Sequence, residues 1–254
     1  MAAASVETVD TSDRDLGEAG LLIPDGVEAP AELLGDEMLS RASLFGPAAS
    51  EYVLDLMRAD PRALIQAKGC QALSQISESP EGRTAVLSKC GVEVVVEAMM
   101  SAMPDEIELQ ARGCSALANL VMNASEEEEA RVLKSGLAAV LGASKAHPAE
   151  STVQLKVCLA LGNMAFGSKG EATCLSQGAL EAVVEAMKAH PGDEALQVEG
   201  CDALVNIADS TDGKTKLVAL GGLAVAAAAK KHPKCAETAG ALADSLLAVA
   251  KASQ

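Results

Sequence analysis

The stretch QARGCSALANL, residues 110–120, recurs along the chain with the same pattern. QLKVCLALGNM begins at Gln154, QVEGCDALVNI begins at Gln197, and a weaker copy, QAKGCQALSQI, begins at Gln66. At 100° per residue, the apolar side chains of the copy at 110–120 gather on one half of a helical wheel. The chain therefore contains the same amphipathic helix four times, which predicts a repeat architecture.

Two further sets of residues recur with the same period of about 43 residues. Glycines stand at Gly46, Gly91, Gly136, Gly178 and Gly221, and prolines stand at Pro61, Pro104, Pro148, Pro191 and Pro233. A glycine is a common helix stop, because it adopts positive φ without penalty. Each repeat is therefore predicted to contain a short first helix that ends before the glycine and a second helix that ends at the proline. A third helix, like the one at 110–120, follows the proline.

Helix starts and exposed thiols are also predicted from the pattern. Ser125 with Glu128, and Ser168 with Glu171, have the spacing of capping boxes at the starts of two first helices. Cys90 and Cys174 lie near first-helix ends, outside the apolar column, and are expected to be partly exposed.

The third helix resembles that of the armadillo repeat family, in which a small residue precedes a Leu-x-Asn-Leu sequence. Residues 113–120 have this form, and so do 157–164 and 200–207. The resemblance implies an all-α fold, a right-handed α-solenoid of about five three-helix armadillo repeats. We expect the repeats at roughly 33–79, 80–123, 124–167, 168–210 and 211–251 of a repeat domain that spans 33–254. Residues 1–32 are acidic and polar, which predicts a flexible tail, and Leu21, Leu22 and Ile23 in this tail could instead dock.

Composition excludes several functional classes. The formal net charge is −16, and the only aromatic residues are Tyr52, Phe45 and Phe166. An acidic chain without base-stacking aromatics is a poor nucleic-acid binder. No apolar run reaches transmembrane length, and no catalytic motif is present, so we expect no membrane insertion, no cofactor, no small-molecule substrate and no enzymatic activity.

Seven cysteines without a CxxC pair favour a reducing compartment over a disulfide framework. Cys70, Cys114, Cys158 and Cys201 occupy equivalent positions and are interpreted as small core residues. The chain is expected to be intracellular, cytoplasmic or nuclear, and an organelle is not excluded. His147, His190 and His232 each precede a proline, and they are interpreted as turn and cap residues. Equivalent positions on stacked helices lie too far apart to share one metal ion.

The polar side of the third helices predicts the binding site. Stacked repeats place equivalent residues in columns along a groove, which the resemblance implies is concave. One column is Gln75, Asn119, Asn163, Asn206 and Asp244. The family resemblance implies that these carboxamides hold an extended peptide, because a carboxamide both donates and accepts hydrogen bonds. Alternatively, the asparagines cap or bridge neighbouring helices.

Two more columns complete the predicted groove. Gln71, Ser115, Leu159 and Asp202 stand four residues before the carboxamide column, where nuclear-import adaptors of this family carry tryptophans. This sequence has no tryptophan, which argues against recognition of nuclear localisation signals. Lys68, Arg112 and Lys156 give way to Glu199 and Glu237 in the third column. The groove is thus predicted to be bipolar and to accept a partner with acidic and basic stretches, unless these are ordinary solvated charges.

We expect a non-enzymatic scaffold or adaptor that captures a segment of another protein along this groove. The alternative is a structural subunit or assembly factor of a large complex, docked through its convex or end surfaces. An open groove with unpaired asparagines would favour the first, and a large apolar patch on the second helices would favour the second.

Overall fold

The computed structural model describes Leu39 and residues 42–102, 105–122 and 124–252. The predicted tail at 1–32 lies outside these residues. All regular secondary structure in the described ranges is helical. A short 3-10 segment, Ala42–Ala49, precedes thirteen α-helices. They are α1 Ser50–Ala59, α2 Ala63–Ile76, α3 Pro80–Ser88, α4 Gly91–Glu97, α5 Ile107–Val121, α6 Glu126–Ala146, α7 Ser151–Met164, α8 Ser168–Gln177, α9 Ala179–Ala189, α10 Glu194–Ile207, α11 Thr211–Ala219, α12 Gly222–Ala229 and α13 Ala236–Ala252.

The helices stack as repeats, and the third helix of each repeat lies against its equivalent in the next. These third helices are α2, α5, α7, α10 and α13. Helices α2, α5, α7 and α10 form the most extensive helix pairs of the described fold. This arrangement confirms the predicted all-α solenoid.

The apolar column of the third helices forms the core. The four cysteines predicted to be core residues, Cys70, Cys114, Cys158 and Cys201, have no exposed surface. Leu73, Leu117, Leu161 and Leu204, three residues further on, are buried in the same way. Burial raises the pKa of the Cys70, Cys114 and Cys158 thiols to about 12, so these groups act as small apolar side chains.

A buried glutamine at the start of four third helices ties each to the preceding second helix. The side-chain amide of Gln197 donates to the main-chain oxygens of Met187 (2.9 Å) and His190 (3.1 Å). Gln154 donates in the same way to Ser144 and His147, both at 2.9 Å. The last carbonyls of a helix have no intrahelical partner, and a buried carbonyl without one is costly. The glutamines therefore complete the ends of the second helices.

The other two glutamines follow the same rule. Gln66 donates to the oxygens of Met57 (2.6 Å) and Asp60 (2.7 Å), and Gln110 donates to the oxygen of Met99 (2.8 Å). The fifth repeat has Cys235 at this position. Its sulfur lies 3.4 Å from the oxygen of Gln197 and 3.1 Å from the sulfur of Cys201.

Glycine and methionine fit together between second and third helices. A Cβ added to Gly200 would lie 2.6 Å from Cγ of Met187, and one added to Gly113 would lie 2.5 Å from Sδ of Met99. Gly69 and Met57 form the same pair. The third repeat carries the reverse sizes in the same register, with Val157 on the third helix and Ser144 on the second.

The histidines join adjacent repeats. Nε2 of His190 donates to the main-chain oxygen of Pro148 (2.9 Å), and Nε2 of His232 donates to that of Pro191 (2.8 Å). His190 and His232, which precede Pro191 and Pro233, thus each tie their own turn to the turn of the preceding repeat.

The third repeat corrects the prediction of three helices in every unit. Its first and second helices form one continuous helix, α6, which passes through Gly136. A Cβ added to Gly136 would lie 3.2 Å from Leu117 and 3.3 Å from Met164. This glycine therefore serves helix packing and does not stop the helix.

Three smaller predictions also change. The left-handed residue in the second repeat is Cys90 (φ 60°), which precedes the glycine that was predicted to end the helix. Cys174 is buried, whereas Cys90 is exposed as expected. The capping box at Ser125 and Glu128 is confirmed. That at Ser168 is wrong, because α8 is capped by Gly167, and Glu171 instead accepts from the main-chain N–H of Ser210 (2.8 Å).

The fit between Gly200 and Met187 can be tested by exchanging the large and the small side chain between the two positions. Gly200→Val alone should destabilise the chain by about 1–3 kcal/mol, because the added atoms overlap Met187. Met187→Ser alone should cost about 2–5 kcal/mol through the cavity it leaves. The double variant reproduces the Val157 and Ser144 pair and should be more stable than the sum of the single variants predicts.

Urea unfolding of the four chains measures this coupling. Gly192→Val is the control, because a side chain at Gly192 would meet no described atom within 4 Å, and its effect should be small. Additive single-variant effects would show that the two positions are independent.

Candidate binding face

The twelve predicted groove residues all lie on third helices, and each retains some exposure. We call the surface formed by the exposed side chains of α2, α5, α7 and α10 the third-helix face. Gln71, Gln75 and Asp202 are exposed, and the other predicted residues are half-buried. These are Lys68, Arg112, Ser115, Asn119, Lys156, Leu159, Asn163, Glu199 and Asn206. The face therefore brings the predicted columns together on one side of the stack.

Asn119, Asn163 and Asn206 form a ladder on the third-helix face, and each bridges to the preceding third helix. Nδ2 of Asn163 donates to the main-chain oxygen of Ala118 (3.1 Å), and Nδ2 of Asn206 donates to that of Gly162 (3.1 Å). Nδ2 of Asn119 contacts both the main-chain oxygen and the hydroxyl of Ser74, each at 3.0 Å. The accepting carbonyls lie in the last turn of their helices, where intrahelical partners are missing.

The bridges use only one half of each carboxamide. Among the described residues, the Oδ1 atoms of Asn163 and Asn206 have no hydrogen-bond partner, and neither atom belongs to the buried unsatisfied groups. Because the nitrogen is fixed, each oxygen is held in a defined orientation on the third-helix face. The ladder thus presents hydrogen-bond acceptors to a partner, whereas its amide donors are used within the fold.

Arg112, in the column of basic residues, is already tied to neighbouring polar groups. The Arg112 guanidinium pairs with the Glu108 carboxylate at 2.5 Å and also donates to the side-chain oxygen of Gln71. The contact with Gln71 joins α5 to α2 across the face. The arginine retains exposed surface, but its charge is partly compensated by Glu108.

The acidic end of the face carries carboxyl groups in unfavourable surroundings. Burial raises the pKa of Glu199, the nearby Asp202 carboxylate raises it further, and Lys156 lowers it. Burial also raises the pKa of Asp202. A cationic partner at this end would favour the charged form of both groups.

Sequence reasoning missed the apolar part of the face. Phe166 is 76% exposed, Met122 is 43% exposed and Val205 is 41% exposed. Met122 and Phe166 stand three residues after Asn119 and Asn163, so reading this column would have revealed the pattern. Exposed large apolar side chains that cluster are a common sign of an interaction site.

Two adjacent clefts lie around Phe166. One, of about 330 Å³, is lined by Val121, Met122, Ala124, Glu129, Asn163, Phe166 and Asn206. The other, of about 300 Å³, is lined by Ala165, Phe166, Gly167, Glu171, Val205, Asn206 and Asp209. We call them the anchor cleft and the acidic cleft. Phe166 and Asn206 line both, so the two clefts adjoin at these residues.

A longer connection shapes the anchor cleft. The helix cap Ser125 stands six positions after Asn119, whereas Gly167 stands four positions after Asn163 and Ser210 four positions after Asn206. In the second, fourth and fifth repeats, the residue three positions after the cap of the first helix is a glycine that packs against the preceding third helix. Gly170, for example, packs against the main-chain oxygen of Met164. Repeat three has Glu128 at that position. The anchor cleft therefore lies where the connection is longer and where the close contact of a glycine with the preceding third helix is missing.

The raised pKa of Glu199 predicts a pH-dependent effect on stability. A carboxyl whose folded-state pKa lies above its unfolded value favours folding while protonated, and that advantage disappears as the pH rises through the folded pKa. Glu199→Gln should therefore raise the urea midpoint at pH 7 and change it much less at about pH 3.5, where both states bind the proton.

The comparison should be repeated in a chain that also carries Asp202→Asn. Removal of this neighbouring charge should reduce the gain from Glu199→Gln at pH 7. Equal gains at both pH values would contradict the assignment of the effect to ionisation.

Two features are absent among the described residues. None of the helices in these ranges is long and apolar enough to cross a membrane. The described histidines, cysteines and carboxylates form no cluster of three that could hold a metal ion.

Comparisons with known proteins identify the repeat. A crystal structure of an engineered protein from the Northeast Structural Genomics Consortium matches with a TM-score of 0.69 and 22% sequence identity, over 86% of this chain and 90% of that one. At this identity the likeness concerns the fold alone. The search of curated proteins found no match. A family model described as LRRK2 ARM repeat matches residues 52–240, and the chain therefore belongs to this armadillo-repeat family.

Proposed function

We propose that the chain is a non-enzymatic scaffold that captures an extended segment of another protein along the third-helix face. Armadillo-type repeat proteins are protein-binding scaffolds in general, and their fold is typically non-enzymatic. The specific face, the extended segment and the mode of contact are our proposal. The observation that carries it is the row of asparagine oxygens, each oriented by its own bridge and left without a partner among the described residues.

The geometry of an extended chain matches this row. Packed helices lie about 8–10 Å apart, and an extended chain rises about 3.3 Å per residue. One asparagine oxygen would therefore meet a main-chain N–H of the partner at about every second or third residue. Main-chain contacts of this kind provide affinity, and side-chain clefts beside them provide specificity.

Charge along the face would set the direction of the partner. Lys68, Arg112 and Lys156 lie toward the first repeats, and Glu199 and Asp202 lie toward the last ones. An acidic stretch would lie on the former and a basic stretch on the latter. The raised pKa values of Glu199 and Asp202 support this role, because a cationic partner would stabilise the charged form of the acidic end.

The alternative, docking through the second helices, has one observation in its favour. A cleft of about 550 Å³ lies between α6 and α9, next to Ser144, Gln154 and Glu181. It is larger than either cleft beside Phe166, but no strongly exposed large apolar side chain lines it. Of the described second helices, only the π-helical segment Ala98–Ala102, which continues α4, carries such a residue, Met100. We therefore favour the third-helix face.

Selection of peptides on the full chain tests this proposal. The probe is a phage-displayed library of random peptides of about twelve residues, which span about 40 Å when extended. We expect enriched peptides whose affinity falls with rising salt concentration, and falls when Lys156→Glu or Glu199→Lys alters the face.

A matched control lies outside the face. Lys145→Glu makes the same change of charge as Lys156→Glu, but on an exposed residue beside the cleft between α6 and α9. It should leave the affinity unchanged on this proposal. Peptides that respond to Lys145→Glu and ignore both third-helix variants would instead support docking through the second helices.

A further inference from the structure

We infer that the pair of clefts around Phe166 recognises a large apolar residue of the partner together with a lysine or arginine two positions away. This inference rests on the proposed function and names the partner chemistry at one point of the face. It concerns residues of repeats two to four that lie outside the predicted columns, apart from Asn163 and Asn206.

The anchor cleft suits a large apolar side chain. Its walls include the side chains of Val121, Met122 and Phe166, of which Met122 and Phe166 are strongly exposed. A cleft of about 330 Å³ has room for one aromatic or long aliphatic side chain. Burial of such a residue against an exposed phenylalanine removes apolar surface of both partners from water, which is the usual energetic centre of an interface.

The polar rim suits a cation. Charged residues in the two linings are Glu129, Glu171 and Asp209, all of them acidic, and the described linings contain no lysine or arginine. The ammonium of the nearby Lys214 lies 2.5 Å from the main-chain oxygen of Asp209. It therefore contacts the main chain of Asp209 and not its carboxylate. Oε1 of Glu129 is buried and has no hydrogen-bond partner in the described structure. Charge complementarity therefore selects a basic neighbour for the apolar anchor.

The shared wall sets the spacing between the two partner residues. Phe166 and Asn206 line both the anchor cleft and the acidic cleft, so the two clefts adjoin there. In an extended chain, residues two apart point to the same face. An apolar side chain in the anchor cleft would therefore place the residue two positions away over the carboxylates of Glu171 and Asp209.

The chain's own acidic N-terminal segment is a poorer occupant. It contains Leu21, Leu22 and Ile23, but the nearby charges are Glu18, Asp25 and Glu28. Acidic flanks would meet an acidic rim, and this like-charge contact is unfavourable. The occupant we infer is a basic-apolar segment of another protein.

The test uses the same library of peptides of about twelve residues on the full chain. Enriched sequences should share an apolar residue with lysine or arginine two positions away. Fluorescence polarisation of the best synthetic peptide should show an affinity loss of about tenfold or more for Phe166→Ser, and a similar loss when alanine replaces the apolar residue of the peptide.

Leu247→Ser is the matched control. Leu247 stands three residues after Asp244, is 42% exposed, and thus occupies the same column as Phe166 in the fifth repeat. This variant should bind the peptide like the unaltered chain. Circular dichroism of both variants shows whether the helices persist, so a loss of affinity is not mistaken for unfolding.

Three results would overturn the inference, and they differ in what they leave standing. Equal binding by Phe166→Ser together with a loss in Lys156→Glu would refute the anchor and retain the proposed function. An affinity gain of about tenfold in the full chain with Leu21, Leu22 and Ile23 changed to serine would show that this segment occupies the clefts. If no peptide is enriched, both the inference and the proposed function fail.

Discussion

Short helices impose the main constraint on this molecule, because each ends in carbonyls that no residue of its own helix can satisfy. Side-chain amides from neighbouring helices supply the missing donors. Gln197 and its three equivalents complete the second helices from within the core, and Asn163 and its equivalents complete the third helices on the surface. One chemical group thus fixes both the angle within a repeat and the stacking between repeats.

The surface amides also connect the fold to the proposed binding. A carboxamide has a donor and an acceptor at fixed geometry. The nitrogen of Asn163 serves the stack, so its oxygen is oriented before any partner arrives. Such preorganisation lowers the ordering cost of association. Specificity then depends on what surrounds each oxygen, and the exposed ring of Phe166 makes the junction of repeats two to four different from the others.

The repeat period and the apolar column were enough to predict the solenoid and its core, because Cys114 and Leu117 recur at fixed spacing and packing tolerates little else there. The same periodicity misled at single positions. Gly136 looked like a helix stop, but its lack of a side chain serves contact with Leu117. Both roles of Asn119 were considered from the sequence, yet the partition between its nitrogen and oxygen depends on the position of Ser74, which only the stacked helices define. Phe166 was not predicted because its column, three residues after Asn163, mixes apolar residues such as Met122 and Leu247 with acidic ones such as Asp209.

The most direct measurement compares Asn163→Ala with Asn163→Asp in the full chain, with a peptide selected on the unaltered chain. Both variants lose the donor to Ala118, so both should lower the free energy of unfolding, by about 1–2 kcal/mol for Asn163→Ala and by more for Asn163→Asp, whose carboxylate oxygen faces the Ala118 carbonyl oxygen. The carboxylate that Asn163→Asp introduces still provides an acceptor, so this variant should keep most of the peptide affinity that Asn163→Ala loses. Equal affinity in the two variants, or no loss of stability in either, would contradict the division of this side chain between fold and partner.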